Sequence, residues 1–300
     1  MPRASAPERL VRLPRLELRA RTAVEGLAGG QHQSRRRGPS THFAEHREYV
    51  PGDDLRHLDW KLMARSDRNI LRQYEAETDL TVTFLLDSSA SMQYGSLPWN
   101  KLDYATWIAA SLVHLLFLKN DKFAVGIPSA VETPQWLPPK NGARQQSQAW
   151  ELLEQAQPQG SLNPADSLRA CLPYLSRRGL VVWISDCLGD AQEMVQAASE
   201  IRGAGHDLIV LRVLDPAEVD FPFDRNTKFE SLESSEILLA DPRALKEAYL
   251  KEFNQHAAQL RQGLRALQAD FDRFTTDAPL DVALVQFLAR RDAQRKRRGL

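Results

Sequence analysis

An aspartate and two alternate serines, Asp87-Ser88-Ser89-Ala90-Ser91, follow directly on the apolar run Leu80 to Leu86, and a second apolar run, Leu180 to Ser185, ends in Asp186. In isolation Asp-x-Ser-x-Ser is a weak signal, because both residue types cap helices and bond to their own backbone in turns. On that plain reading Asp87 only organises a strand-to-helix loop. The second strand ending in an acid points further. If the two runs are neighbouring parallel strands, about 4.8 Å apart, Asp87, Ser89, Ser91 and Asp186 converge at the carboxyl end of a sheet, where open α/β folds bind ligands. An all-oxygen set of this kind suits a hard cation. So few protein ligands would leave water on the ion, which favours Mg²⁺ ahead of Ca²⁺ or Mn²⁺.

The elements that must position these residues follow from the apolar patterning. From about residue 80, short apolar runs alternate with amphipathic stretches, which predicts repeated strand and helix units. Leu80 to Leu86 reads as the first strand, Lys101 to Lys119 as a mostly apolar helix, Lys122 to Pro128 as a strand, and Val131 to Leu137, interrupted by Pro134, as an edge strand. Helices are expected near Gln146 to Gln155, Pro164 to Leu175 and Ala191 to Ala204. Leu180 to Ser185 and Asp207 to Leu214 are nearly continuous apolar runs of the type buried on both faces in parallel sheets. Thr227 to Leu232 and Glu236 to Ala240 form an inserted hairpin, followed by a long helix from Pro242 to Ala269, a strand at Asp270 to Thr275 and a helix from Leu280 to Arg290. The fold class expected is α/β, a doubly wound and mostly parallel sheet with an N-terminal extension and a small β-hairpin insertion.

The rest of the chain narrows the function. With hydrophobic residues at 43% and charged residues at 26% the 300-residue chain matches ordinary globular usage, which excludes a disordered protein or a rod. Lys+Arg and Asp+Glu are both 39, so no overall charge draws the chain to nucleic acid or acidic lipid. Residues 1–40 hold many arginines and read as a basic arm with little core, and the tail over 291–300 continues a basic run that begins at Arg290. Cys171 and Cys187 suit neither a disulfide scaffold nor a zinc site, and no motif places a histidine to activate either thiol. His42 and His46 lack the rest of a metalloprotease motif, and His114 reads as a hydrogen-bonded core residue. No phosphate-binding loop and no nucleophile elbow is present, so any ATP hydrolysis must come from a partner. A signal peptide and a membrane span are absent from the pattern, which leads to a cytoplasmic expectation.

Around residues 41–78 a different signature stands: Arg47-Glu48-Tyr49-Val50-Pro51-Gly52-Asp53-Asp54-Leu55-Arg56-His57-Leu58-Asp59-Trp60-Lys61, then Arg72-Gln73-Tyr74-Glu75. Asp53, Asp54, His57 and Asp59 read either as a hydrogen-bonded loop paired to Arg47, Arg56 or Arg72, or as a partner-binding surface that includes Trp60. Arg72 to Glu75 reads as an edge strand or one docked on the sheet.

Two resemblances arise from these residues. Asp87, Ser89, Ser91 and Asp186, within a domain over 79–290, resemble the metal-ion-dependent adhesion site of von Willebrand factor A domains. That resemblance implies hydroxyls bound directly to the metal, aspartates acting largely through water, and a vacant position that takes the Asp or Glu of a protein partner. The family's threonine has Ser161 as its nearest counterpart. The signature over 47–75, with Pro279-Leu280-Asp281 later on, resembles the bacterial domain-of-unknown-function-58 family in its short form. This implies a non-enzymatic adaptor or co-chaperone working with a MoxR-type AAA+ ATPase. A competing reading is a Mg²⁺-dependent hydrolase using Asp87, although phosphatase chemistry would want a second acid where the chain has Ser89. A basic nucleic-acid binder ranks last, since no recognition motif accompanies the charge.

Overall fold

The computed structural model describes residues 15–28, 42–48, 70–75, 81–129, 133–160, 163–175, 178–225, 227–232 and 237–297. They belong to two units, one drawn from residues 1–30 and 80–300, the other from 31–79. In the smaller unit β1 (His42–Glu48) pairs antiparallel with β2 (Ile70–Glu75), with an irregularity between Phe43 and Glu45. Arg72 to Glu75 therefore pairs with β1 and not with the main sheet, and His42 and His46 lie on a strand. Arg47 is in β1 opposite Leu71. Asp53, Asp54, His57, Asp59 and Trp60 lie outside the described residues, as does Ser161.

The larger unit opens with α1 (Leu16–Ala28) and continues through β3 (Thr81–Leu86), α2 (Lys101–Leu118), β4 (Phe123–Ile127), β5 (Gln135–Lys140), α3 (Ala143–Glu154), α4 (Pro164–Cys171), β6 (Gly179–Ser185), α5 (Ala191–Gly203) and β7 (Asp207–Leu214). The short α6 (Pro216–Asp220), the hairpin β8 (Thr227–Glu230) and β9 (Ile237–Ala240), α7 (Pro242–Ala266), β10 (Asp270–Thr275) and α8 (Leu280–Arg297) complete it. The six main strands run in the order β10-β7-β6-β3-β4-β5, all parallel except β5. This is the expected doubly wound sheet, with β6 beside β3.

Alternation along the strands builds two cores. Val82, Phe84 and Leu86 of β3, with Ile209, Leu211 and Val213 of β7, face α1, α2, α3 and α8. Leu85, Val181, Trp183, Leu208 and Val210 face α4, α5 and α7. Period-two exposure of apolar side chains on both faces explains why these strands read as continuous hydrophobic runs. α2 is apolar nearly all round because it lies in the core; it is long and apolar enough to cross a bilayer, but most of it is buried against the sheet. His114 on α2 accepts a hydrogen bond at Nδ1 from Gln146 Nε2 at 2.8 Å, the core role expected of it.

Four boundaries differ from expectation, each for a physical reason. Within the arm expected to hold little core, Leu16, Ala20, Ala23 and Val24 are buried on one face of α1, and Leu16 N–H donates to Glu154 Oε1 at 2.8 Å. The arginines between them face outward or lie over aromatic rings, as Arg19 does over Trp107 at 5.3 Å. The edge strand starts after Pro134 rather than spanning it. α4 stops at Cys171, where Pro173 turns the chain into a single 3₁₀ turn. The basic tail begins as helix, since α8 runs to Arg297, with Arg290 paired to Asp272 at 2.7 Å and Arg291 to Asp270 at 3.5 Å.

α5 and α7 meet where Gly263 faces Val195. A Cβ at 263 would overlap the Val195 side chain. Helix propensity alone would make Gly263→Ala stabilising by about 1 kcal/mol, but overpacking costs about 1–3 kcal/mol. We expect Gly263→Ala to lower stability to urea, and Gly263→Ala combined with Val195→Ala to lower it less than the single substitution.

Candidate strand-tip site

Three adjacent parallel strands, β3, β6 and β7, end in Asp87, Asp186 and Asp215, and all three aspartates are fully buried. Asp87 continues the ladder by donating its N–H to Ile184 C=O at 2.9 Å. Its Oδ1 accepts from Ser89 N–H at 2.9 Å and its Oδ2 from the Ser185 hydroxyl at 2.5 Å. The Ser89 and Ser91 hydroxyls meet each other at 3.0 Å, and Ser88 donates to Pro128 C=O at 3.1 Å. Gln159 N–H to Ser88 C=O, 2.7 Å, and Ala90 N–H to Gly160 C=O, 3.1 Å, fasten this loop to the segment before α4. Asp87, Ser89 and Ser91 are thus brought together, and Asp186 ends the neighbouring strand near enough for its charge to act on Asp87.

What the sequence reading missed is the cation already among them. Lys101, the first residue of α2, is fully buried and donates from Nζ to Asp186 Oδ2 at 2.7 Å and to Glu218 Oε1 at 2.6 Å. Its place is set by a capping box in which Asn100 Oδ1 accepts from Asp103 N–H at 2.8 Å and Asp103 returns the bond at 3.0 Å. Asp186 Oδ1 accepts from Leu188 N–H at 3.0 Å, which uses its second oxygen. Glu218, in the first turn of α6, accepts from Asp215 N–H at 2.8 Å. Asp215 in turn holds Ser96 through N–H at 2.8 Å and Oγ at 2.6 Å. Arg212 Nε donates to Asp186 C=O at 2.9 Å. The i, i+3 pairs Asn100 with Asp103 and Asp215 with Glu218, the latter behind Pro216, were the local capping signals in the sequence.

Electrostatics follow from burial. Loss of water, with repulsion from Asp186 second, pushes the Asp87 carboxyl up to about 6, although Ser185 and Ser89 pull the other way. Burial alone would lower Lys101; Asp186 and Glu218 overcome it and hold the amine above its ordinary value, so it stays charged. Cys187, next to Asp186, is pushed up to about 12 by burial, and Cys171 likewise, which leaves both as inert thiols.

Several of the oxygens expected to hold a divalent cation already have partners within the fold. Asp186 is the counter-ion of Lys101, and both its oxygens are committed. Seen from the position between the serines, that pair is neutral, which leaves one net charge, on Asp87, and two hydroxyls to strip water from an ion that gives it up reluctantly. Asp87 is itself bonded twice within the fold. The expected Mg²⁺ site would share this centre with the ammonium of Lys101, and the Mg²⁺ titration below tests it. The plain reading of Asp87 as an organiser of the strand-to-helix loop describes what it does.

A six-stranded sheet of this order, with Asp-x-Ser-x-Ser at the tip of a central strand, defines a doubly wound α/β domain. Residues 45–259 match the family described as "Protein of unknown function DUF58", and the chain belongs to that family. It is 27% identical over 291 residues to the uncharacterized proteins Rv1480 of Mycobacterium tuberculosis and Mb1516 of Mycobacterium bovis, across 95% of this chain and 90% of each relative. Similar solved structures include the conserved hypothetical protein BatB of Bacteroides thetaiotaomicron, at 18% identity and TM-score 0.45 over 70% of this chain and 98% of that one. The VWA domain of SpRpn10 is 10% identical, with TM-score 0.43 over 68% and 93%.

Two outcomes test the centre. Lys101→Met strands two carboxylates in the interior and should cost about 3–5 kcal/mol in urea unfolding, less at acid pH where they protonate. Millimolar Mg²⁺ or EDTA should leave the melting temperature of the wild-type chain unchanged; a saturating rise with Mg²⁺ that disappears in Asp87→Ala would show a metal site.

Proposed function

We propose that the protein is a non-enzymatic, cytoplasmic protein-interaction module, an adaptor for a MoxR-type AAA+ ATPase, whose docking face is the set of loops over the strand tips. The observation that carries this reading is the closure of the centre beneath them. Each charged side chain described there is bonded within the fold, and Asp87, Lys101 and Asp186 are wholly buried, so none is placed to attack or protonate a substrate. The loops above are accessible: Gln93, Gly95, Pro98, Gly189 and Asp190 are exposed. The buried network fixes the shape of a surface that a partner can read. The fold class supports binding only by analogy, and the ATPase pairing rests on the family resemblance.

The hydrolase reading would need Asp87 to reach a phosphorus atom, and both its oxygens are occupied at 2.5 and 2.9 Å. The nucleic-acid reading rests on charge alone: Arg290 and Arg291 pair with β10 acids and Arg21 pairs with Glu17, and no recognition motif accompanies the arginines.

The test is capture of the MoxR-type ATPase from the same genome on the immobilised full chain. Gln93→Arg, on the strand-tip face, should weaken capture about tenfold, the loss of roughly one well-made contact. Gln148→Arg, exposed on α3, should leave it unchanged. Equal capture by both variants would refute the docking face, and no capture by the wild-type chain would refute the pairing.

A further inference from the structure

A second site lies on the face of the sheet covered by α7. Phe271 and Arg273 of β10 alternate with Asp270 and Asp272, so the acids project to the opposite face, where they pair with Arg291 and Arg290 of α8. Arg273 lies beside Arg212 of β7 in the ladder, directly opposite in register, so both guanidinium groups share the α7 face. There, with Arg261, Phe253 and Asn254 of α7, they line a cavity of about 110 Å³.

Arg212 is the unusual member. It is only 1% exposed, yet among the described residues no carboxylate pairs with its guanidinium. Nε is used by Asp186 C=O at 2.9 Å, Nη2 is 3.5 Å from His256 Nδ1, and the plane lies over Phe253 at 5.1 Å. The nearby acids, Asp186 and Glu218, are both held by Lys101. Arg261 and Arg273 form no ion pair among the described residues either. Three guanidinium groups, the buried Arg212 and the exposed Arg261 and Arg273, therefore line one small cavity, and the two negative charges of Asp186 and Glu218 against the one on Lys101 leave only Arg212 offset from within the fold.

We propose that this cavity binds a phosphate group. A doubly charged oxyanion matches three guanidinium groups better than a carboxylate does, because it offers three or more acceptor oxygens to donors of forked geometry. The cavity exceeds by several-fold the ~30 Å³ share of one water, so a phosphate fits, and Phe253 and Phe271 provide walls for a flat organic part of the ligand. The group could arrive as free phosphate or as a monoester, and the two are distinguished by titration.

The experiment is isothermal titration calorimetry of the full chain at constant ionic strength with phenyl phosphate, inorganic phosphate and benzoate. Saturable binding of either phosphate is expected, with benzoate weaker by about tenfold or more. Phenyl phosphate binding tighter than inorganic phosphate would support the ester and its aromatic walls; the reverse would support free phosphate. The double variant Arg261→Gln, Arg273→Gln, both positions exposed, should keep the wild-type melting temperature and weaken phosphate binding about tenfold or more. Absence of saturable heat, equal binding of benzoate, or binding unmoved in the double variant would overturn the proposal. Arg212→Met, which also loses the bond to Asp186 C=O, is a further arm read only if its melting temperature shows a folded chain; retained wild-type affinity there overturns the proposal as well.

Discussion

An ammonium group wholly removed from water must find carboxylate partners within the fold, and Lys101 finds its two only if three parts of the chain arrive in one place. Its own helix must begin at residue 101, β6 must end at Asp186, and the first turn of α6 must present Glu218. A buried ion pair adds little net stability over an apolar alternative of similar volume, because desolvation offsets the attraction. It is nevertheless unforgiving of displacement, since moving any one member strands the others. The triad therefore acts mainly on geometry, and it fixes the carboxyl end of the sheet at the crossing of α2, β6 and α6.

The remaining strand tips are organised by shorter-range versions of the same rule. Asp87 binds its own loop and the neighbouring strand; Asp215 caps α6 and holds the loop that leads into α2 through Ser96. A surface built on such a network is rigid in its backbone while varying in its exposed side chains, which is the division of labour that recognition loops on a fixed scaffold require. Arg212 extends the network to the far side of the sheet: one of its nitrogens supports the Asp186 carbonyl while the rest of the group faces the α7 cavity.

Much of this architecture was legible in the residues. The runs ending at Leu86, Ser185 and Leu214 announced parallel strands, and Asp87 and Asp186 did converge, because strand direction and neighbour order leave little freedom to residues at the tips. Lys101 was not legible. A lysine in the first turn of a helix ordinarily reads as solvent-facing, and nothing local distinguishes one aimed at acids 85 and 117 residues away in sequence. α1 was hidden differently: its buried face consists largely of Ala20 and Ala23, small residues that scarcely register against the surrounding arginines, and only docking on α2 and α3 reveals their use.

One margin of the sheet carries a further meaning. β5 is the outermost strand, antiparallel, and contains Pro138 and Pro139, neither of which has an amide hydrogen to offer. An incoming extended peptide would meet a row of acceptors with gaps where donors should be, so growth of the sheet by strand addition is discouraged on this side. That blunted border disfavours edge-to-edge association between copies of the chain.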